Sequence, residues 1–320
     1  MTGNLDTTRW AVVIPTFNHA DDVITCLTSL RDADRTPGRV IVVDDASTED
    51  AVGAIGTWAR QAGVHFDVTD PARLGRKASE PWLTIVAAKA NSGFSVSCNI
   101  GLAHVRDHTD APFVLLLNND AAVSKSYFVD LAAGISDRRN VGLATGTIYE
   151  WDRSTVWYAG GRFNPRRAVA EHYLEVPADG ATRSTDFVCG CTMLIARRVM
   201  QQVGLLPEIY SPAYCEDADY SLAVARAGFE LAYVPRAIAF HRVGSSLGRA
   251  DRPPKVIYCF NRNRGYAIRR NFSGLDLAAG IGFMALSKPA RALWELVRGR
   301  PKSAAAFIRG TAAGLFGRID

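Results

Sequence analysis

"LLLNND", residues 115–120, is the stretch on which the fold turns. Three leucines with strand character run straight into two amides and a carboxylate. Polar side chains of this kind are costly to bury without partners. The strand must therefore end where Asn118, Asn119 and Asp120 find them. Either they cap the next helix, or they hold something that is not protein.

Working outward, the same grammar repeats. Residues 11–15 (AVVIP) and 40–44 (VIVVD) are apolar throughout and rich in β-branched residues, and 83–88, 113–117 and 141–145 add three more such runs. Continuous apolar runs suit a parallel sheet covered on both faces. Helical patterns lie between them. Val23, Ile24, Leu27 and Leu30 form one stripe in residues 20–30. A second helix is predicted to start at Ser47 or Thr48, followed by Glu49 and Asp50. Residues 94–106 give a third, and Ser124 caps a fourth running to about residue 136. Strand and helix alternate through residue 145, which argues for an α/β layer fold.

The pattern then changes. Residues 151–183 mix aromatics, Gly and Pro and read as hairpin and loop. Strands are predicted at 187–195, 231–234 and 238–240, and helices at 197–203, 217–227, 256–270 and 275–296. The expected organisation is one domain over 1–245, with halves 1–150 and 151–245, followed by a basic helical extension over 246–320.

At 320 residues and 48% apolar content, the chain can bury one large core or two smaller ones. Residues 1–9 are polar and unlike a secretory signal, and the apolar run at 277–287 is too short to span a bilayer. The six cysteines form no CxxC pair and no zinc spacing, so free thiols in a reducing compartment, the cytoplasm, are expected. The net charge of +5 hides an asymmetry. Residues 236–320 carry 16 Lys and Arg against 4 acids, whereas the first 235 carry 21 against 28. A basic tail beside an acidic body suggests an anionic partner, nucleic acid or a membrane surface.

In open α/β sheets, ligands bind beyond the carboxyl ends of the strands. Four of those ends deliver small polar or acidic groups: Pro15, Thr16, Phe17 and Asn18; Asp44, Asp45 and Ser47; Asn91 and Gly93, with Asn99 further on; and Asn118, Asn119 and Asp120. Each set alone is explained by turn and cap chemistry. Together they favour a nucleoside diphosphate. An Asp at a strand end can accept the N3–H of uracil or thymine, amides can hold ribose and phosphate, and Asp120 can bind a hard divalent cation that bridges two phosphates. No GxGxxG or GxxxxGK[ST] is present, which argues against a nicotinamide dehydrogenase and a P-loop NTPase.

The second half offers chemistry. Glu216 and Asp217, with Asp219, open a helix. They read either as charge at the positive helix end or as a general base, one pKa being raised by crowding. His241 reads as a satisfied rim residue or, beside Asp120, as a metal ligand. Arg262 and Arg264 read as a solvated helix face or as a bidentate phosphate grip.

Taken in order, "VVIPTFNHADDVITCLTSL", "VIVVDDASTED", "NSGFSVSCNIGL", "LLLNNDAAV", "CEDADYSLAVARAGFELAYVP", "FHRVGSS" and "YCFNRNRGYAIRR" resemble the inverting glycosyltransferases of family 2. The resemblance covers roughly residues 10–270 and is specific as a set. The Tyr-x-x-x-RNR tail and "NND" look most like bacterial rhamnosyltransferase-type members. It implies the GT-A nucleotide-diphospho-sugar transferase fold, a mostly parallel central sheet flanked by helices, with a C-terminal helical extension. It further implies that Thr16, Phe17, Asn18, Asp44 and Asp45 border nucleobase and ribose, and that Asn91, Gly93 and Asn99 help hold the nucleotide. Asp120 becomes the ligand of a divalent cation, Mn²⁺ or Mg²⁺, with His241 as a second ligand, and Asp217 the catalytic base beside Glu216. The implied reaction moves a sugar from a dTDP- or UDP-linked donor, dTDP-rhamnose among them, to a hydroxyl of a glycan or lipid-linked acceptor in cell-surface polysaccharide or glycoconjugate synthesis. The triplet departs from many relatives in opening with Asn118 rather than Asp, and the loop at 69–81 is longer than expected.

The basic tail, with its apolar helical segments, admits two partners: an anionic bilayer, at the inner face of the plasma membrane, or a second copy of the chain. Competing classes fit less well. A nucleotidyltransferase needs a Gly-rich, basic loop after the first strand, where "PTFNHADD" has neither feature. A non-catalytic nucleotide- or glycan-binding module would not need the Glu216–Asp217 pair. A nucleic-acid binder would carry a reading motif, which the tail lacks, so no nucleic acid is expected as a partner.

Overall fold

The computed structural model describes residues 5–75, 81–242 and 252–319. In chain order the elements are β1 (Ala11–Thr16), α1 (Ala20–Arg31), β2 (Arg39–Asp44), α2 (Ala51–Gln61), β3 (Phe66–Thr69), β4 (Leu83–Ala87), α3 (Phe94–His108), β5 (Phe113–Leu117), β6 (Ala121–Val123) and α4 (Tyr127–Ile135). There follow β7 (Val141–Glu150), β8 (Val156–Tyr158), β9 (Gly161–Asn164), β10 (Val169–His172), β11 (Arg183–Ser184), β12 (Thr192–Ala196), α5 (Arg197–Gln202), α6 (Glu216–Arg226) and β13 (Glu230–His241). The chain closes with α7 (Pro254–Asn271), α8 (Gly274–Val297) and α9 (Pro301–Phe316).

One mixed sheet organises the molecule, in the order β11-β13-β7-β12-β5-β1-β2-β4-β3, with β6 added to β13 and β8 to β7. The strands β3, β4, β2, β1 and β5 run parallel. β12 enters antiparallel between β5 and β7, and β7 then pairs parallel with β13. Strands from both sides of residue 150 thus share one sheet. β9 and β10 form a separate hairpin.

Alternating side chains divide the core between the two faces. Val12, Ile14, Val40, Val42, Leu115 and Leu117 pack with Val23 and Leu27 of α1 and Phe128 and Leu131 of α4. Val13, Ile41, Val43 and Leu116 pack with Cys98, Leu102 and Val105 of α3 and Tyr220 and Val224 of α6. Burial on both faces is why these strands read as unbroken apolar runs. Gly101 lets α3 approach β1 closely, since a Cβ there would meet Val13 Cγ1 at 2.6 Å.

Several elements differ from the sequence reading. β3 is a partly exposed edge strand with little apolar signal. β6 takes residues 121–123, so α4 starts after Ser126 rather than at Ser124. Asp50, not Ser47 or Thr48, caps α2, its carboxylate accepting from the Gly53 N–H. Of the run 187–195, the strand begins only at Thr192. The stretches 231–234 and 238–240 belong to one strand with a register shift between Val234 and Ile238. The third C-terminal helix, α9, was not expected. It is rich in Ala and Gly, and its seat on α7 rests on close backbone approach rather than on an apolar stripe.

Candidate active site

The parallel strands β1, β2, β4 and β5 bring their carboxyl ends to one rim. At the end of β1, Thr16 Oγ1 donates to Asn18 O (3.0 Å) and accepts from Asn119 Nδ2 (3.1 Å), tying the first strand end to the fourth. Ser47 Oγ accepts from the Asn18 N–H at 2.7 Å, and Asn18 Oδ1 accepts from the Thr48 N–H at 2.8 Å. Phe17, next to the buried Pro15, is 42% exposed.

The two aspartates after β2 have different tasks. Asp45 is spent on the chain itself: its carboxylate accepts from the N–H groups of Ser92 (2.9 Å) and Gly93 (2.8 Å), and its carbonyl accepts from Asn91 Nδ2 (3.2 Å). Asp44 accepts from the Ser47 hydroxyl and N–H, both on Oδ1. Burial holds the Asp44 carboxyl above its ordinary pKa, with Ser47 opposing. Gly93 has a positive φ of 92°, and a Cβ there would meet Pro212 Cα at 2.7 Å. A side chain at 93 would therefore push the rim away from the loop that leads into α6.

β6 pairs antiparallel with the end of β13, Ala121 opposite His241. The register sets Asp120 beside His241, with Oδ1 3.1 Å from Nε2, and the Arg242 N–H donates to Asp120 O at 3.0 Å. Both side chains are nearly buried. Asn118 Oδ1 and His241 Nδ1 are buried without a hydrogen-bond partner among the described residues. A carboxylate oxygen and an imidazole nitrogen in contact are a donor set suited to Mn²⁺ or, less well, Mg²⁺. Among the described residues no group of three or more His, Cys, Asp and Glu could hold an ion. The chain therefore fits a divalent cation only as a partial shell, completed by oxygens of a ligand.

Across the rim, α6 begins at Glu216 after Cys215, whose backbone is left-handed (φ 74°). Asp217 Oδ2 accepts from the Gly190 N–H (3.0 Å) and Oδ1 from the Ala218 N–H (2.8 Å). Residues 189–191 link the two sides of the site, because the Asn118 N–H donates to Cys191 O at 3.0 Å. Burial raises the pKa of Asp217, while these N–H groups and His172 work against the rise. Glu216 is pushed up to about 8, first by burial and then by the charge on Asp217. Of the pair, Asp217 has the backbone N–H donors that favour a charged carboxylate, whereas Glu216 Oε2 has no partner among the described residues.

Two residues given no role from the sequence complete the arrangement. His172, at the end of β10, places Nδ1 3.1 Å from Trp157 O. The Trp157 ring centroid lies 4.7 Å from both His172 and His241, so an aromatic bridge joins the Asp120–His241 pair to the neighbourhood of Asp217. Burial lowers the His172 pKa, while its contact with Trp157 O and the charge on Asp217 oppose the drop. A lone His in a stretch read as hairpin and loop has no periodicity to mark it. The other is Asn263, fully buried in α7. Its Nδ2 donates to Tyr210 O (2.7 Å), Ala213 O (2.9 Å) and Tyr214 O (3.0 Å), fixing the loop before α6.

Three expectations are corrected. Asn99 does not face the rim: Nδ2 donates to Leu206 O and Glu208 Oε1, both at 2.9 Å, and Oδ1 accepts from the Leu206 N–H at 3.0 Å. Arg264 is buried and donates to Ala168 O (2.6 Å) and Arg167 O (2.5 Å), strapping α7 to the turn between β9 and β10. Arg262 donates to Ser211 O at 2.5 Å and belongs with Asn263 to the support of the α6 loop. Both arginines satisfy main-chain carbonyls instead of forming an open phosphate grip. Residues 76–80 of the long loop and 243–246 of the "FHRVGSS" motif lie outside the described residues.

A family model, glycosyltransferase-like family 2, matches residues 8–254. A curated N-acetylglucosaminyltransferase of Mesorhizobium japonicum is 26% identical over 249 residues, covering 74% of this chain and 52% of its own length, so the chain spans about half of that relative. Among solved structures, the Pyrobaculum calidifontis mannosyltransferase PcManGT with GDP-Man and Mn²⁺ superposes with a TM-score of 0.57 at 15% identity, covering 97% of this chain and 88% of that one. GalNAc-T7 with UDP, GalNAc and Mn²⁺ gives 0.64 at 13% identity, covering 96% and 55%. S. aureus TarS with UDP-GlcNAc gives 0.57 at 15% identity, covering 94% and 81%. The α/β fold of these glycosyltransferases, with a C-terminal helical region, is the fold of this chain.

Proposed function

The chain belongs to the glycosyltransferase-like family 2, and we propose that it moves a sugar from a nucleoside-diphosphate donor to a hydroxyl acceptor with inversion at the anomeric carbon. The observation that carries this reading is the Asp217 carboxylate, held by two backbone N–H groups across a shared rim from the Asp120–His241 pair. The donors bound in the similar structures, UDP-GlcNAc and GDP-Man, belong to the same chemical class.

In this reading Asp44 accepts the N3–H of uracil or thymine through the carboxylate oxygen that Ser47 leaves open, and the exposed Phe17 ring covers the base. Thr16, Asn18 and Asn119 line the approach to ribose and phosphate. The acceptor hydroxyl meets Asp217, which takes its proton as the oxygen attacks the anomeric carbon. The bond from that carbon to the diphosphate oxygen breaks on the opposite face, and the nucleoside diphosphate departs with the electron pair. Asp120 and His241 would hold a divalent cation, which when bound neutralises charge on the departing diphosphate. The Gly190 and Ala218 N–H groups hold Asp217 in orientation, and neutral Glu216 leaves it as the charged base of the pair. We assign a UDP- or dTDP-linked hexose or deoxyhexose, rhamnose included, as donor, and a glycan or lipid-carried glycan as acceptor, as in cell-surface polysaccharide assembly. The six cysteines, all free, suit a reducing compartment such as the cytoplasm.

A thermal-shift series with UDP, dTDP, GDP, ADP and CDP, each with Mn²⁺, Mg²⁺ or EDTA, tests the donor site. A ligand that binds only the native state raises its melting temperature. A shift with a pyrimidine diphosphate that EDTA removes is the expected result. A folded sample that responds to no nucleotide would overturn the reading.

A further inference from the structure

α8 presents an apolar stripe outward. Leu275, Leu286, Leu293 and Val297 recur at helical spacing on one stripe and are 64–88% exposed, and Trp294 and Leu296 flank it. The opposite face, with Met284, Ala292 and the carboxylate of Glu295, is buried. Isolated exposed leucines are ordinary, but a continuous apolar stripe along 24 residues marks a surface that meets something else.

The charges say what. Between Asp276 and Asp320 the sequence has seven Lys and Arg and a single carboxylate, the buried Glu295. Arg291 and Arg298 bracket the Trp294 ring at 3.9 and 4.3 Å, and Arg298, Lys302, Arg309 and Arg318 are exposed. A two-fold pairing of α8 with its own copy would set most of these cations against one another, since Asp276, in the first turn of α8, already pairs with Arg166 at 3.3 Å. A sheet of anionic headgroups meets them all. No helix among the described residues is long and apolar enough to cross a membrane, so the helix lies in the interface plane instead of spanning. Apolar stripe, flanking arginines and an interfacial tryptophan are the combination such a helix needs.

We propose that the outer face of α8 is a docking surface for an anionic lipid bilayer. α8 packs on α7, and α7 carries Asn263, which holds the loop before Asp217. Docking would therefore hold the acceptor side of the rim near the lipid surface. That last step rests on the proposed transfer reaction, whereas the binding surface itself does not.

Cosedimentation of the full chain with vesicles tests it. The chain is expected to pellet with phosphatidylcholine–phosphatidylglycerol vesicles and to stay in solution with phosphatidylcholine alone. The triple variant Leu286→Glu, Leu293→Glu, Val297→Glu should bind at least about tenfold more weakly. Arg298→Glu should weaken binding by about fivefold or more and reduce its salt dependence. An unchanged melting curve and nucleotide response in the variants would show that their fold is intact, whatever the outcome for the transfer reaction. The proposal is overturned if the parent ignores both vesicle types, if it binds both equally, or if the triple variant pellets like the parent. Light scattering that shows a dimer dissolved by the triple substitution would assign the face to a second copy instead.

Discussion

Glu216 and Asp217 are neighbours at the start of α6, yet their surroundings separate them. Asp217 receives two N–H donors, whereas Glu216 Oε2 is buried with no hydrogen-bond partner among the described residues. The helix start favours a negative charge, and the charge goes to the residue whose oxygens are solvated by backbone. Asp217→Asn keeps the shape and removes the proton acceptor. Turnover should fall between about a hundredfold and ten-thousandfold, with the nucleotide-induced thermal shift retained. Near-normal turnover would remove Asp217 from the base role. Glu216 has a consequence for stability. Its carboxyl ionises near 4.5 when unfolded and near 8 when folded. Between those values the folded state binds more protons than the unfolded one, so stability falls as pH rises through that window. Glu216→Gln should remove this slope and raise stability above pH 8 by a few kcal/mol. Parallel melting curves for parent and variant from pH 5 to 9 would refute it.

At the scale of the element, the segment from 211 to 215 decides where α6 starts. Tyr214 and Cys215 both have positive φ, 85° and 74°, a conformation that side chains other than Gly rarely take. Three of its neighbouring carbonyls are held by one amide, Asn263 Nδ2, and a fourth, Ser211 O, by Arg262. Arg262 and Asn263 of α7 thus position the loop that carries Asp217, and in the proposed reaction they touch neither donor nor acceptor. Asn263→Ala would leave those carbonyls without a partner, at a cost of about 1–3 kcal/mol. Because Thr16, Asn18, Asp44 and Asn119 are held by one another and by Ser47 rather than by this loop, kcat should drop while KM for the donor changes little. A folded Asn263→Ala variant with parental kcat would show that the loop holds its shape without the amide.

At the scale of the molecule, the C-terminal helices are part of the same construction as the sheet. α9 crosses α7 at near backbone contact: a Cβ on Gly265 would lie 2.4 Å from Gly314 C, and one on Gly314 would lie 2.5 Å from Arg262 O. Glycine at both places is what lets the helices seat. Gly314→Val should cost about 1–3 kcal/mol through overpacking, read as a lower melting temperature. It should also lower turnover, since the helix displaced is the one that carries Arg262 and Asn263. Unchanged melting would mean that α9 does not seat on α7 in solution. From α9 through α7 to the α6 loop, the tail is mechanically connected to Asp217.

The strand ends at Thr16, Asp44 and Asn118 were legible because a parallel strand buried on both faces must be apolar until it reaches the rim, and there must turn polar at once. That local rule also revealed the α/β layering and the rim of small polar residues. The Asp120–His241 contact joins positions 121 residues apart, and the register of β6 on β13 set it. The insertion of β12 antiparallel into the sheet was invisible, since an apolar strand has no direction in its composition. The separate duties of Asp44 and Asp45, the turning inward of Asn99, Arg262 and Arg264, and the approach of His172 depend on which carbonyls and amides lie opposite. The outward face of α8 belongs to the same class: periodicity shows that a stripe exists, but only packing against α7 and α9 decides which side is left for the solvent. Sequence determined what each strand end could offer; tertiary structure decided which offers are consumed by the protein's own backbone, because a buried polar group must satisfy the nearest partner before it can serve a ligand.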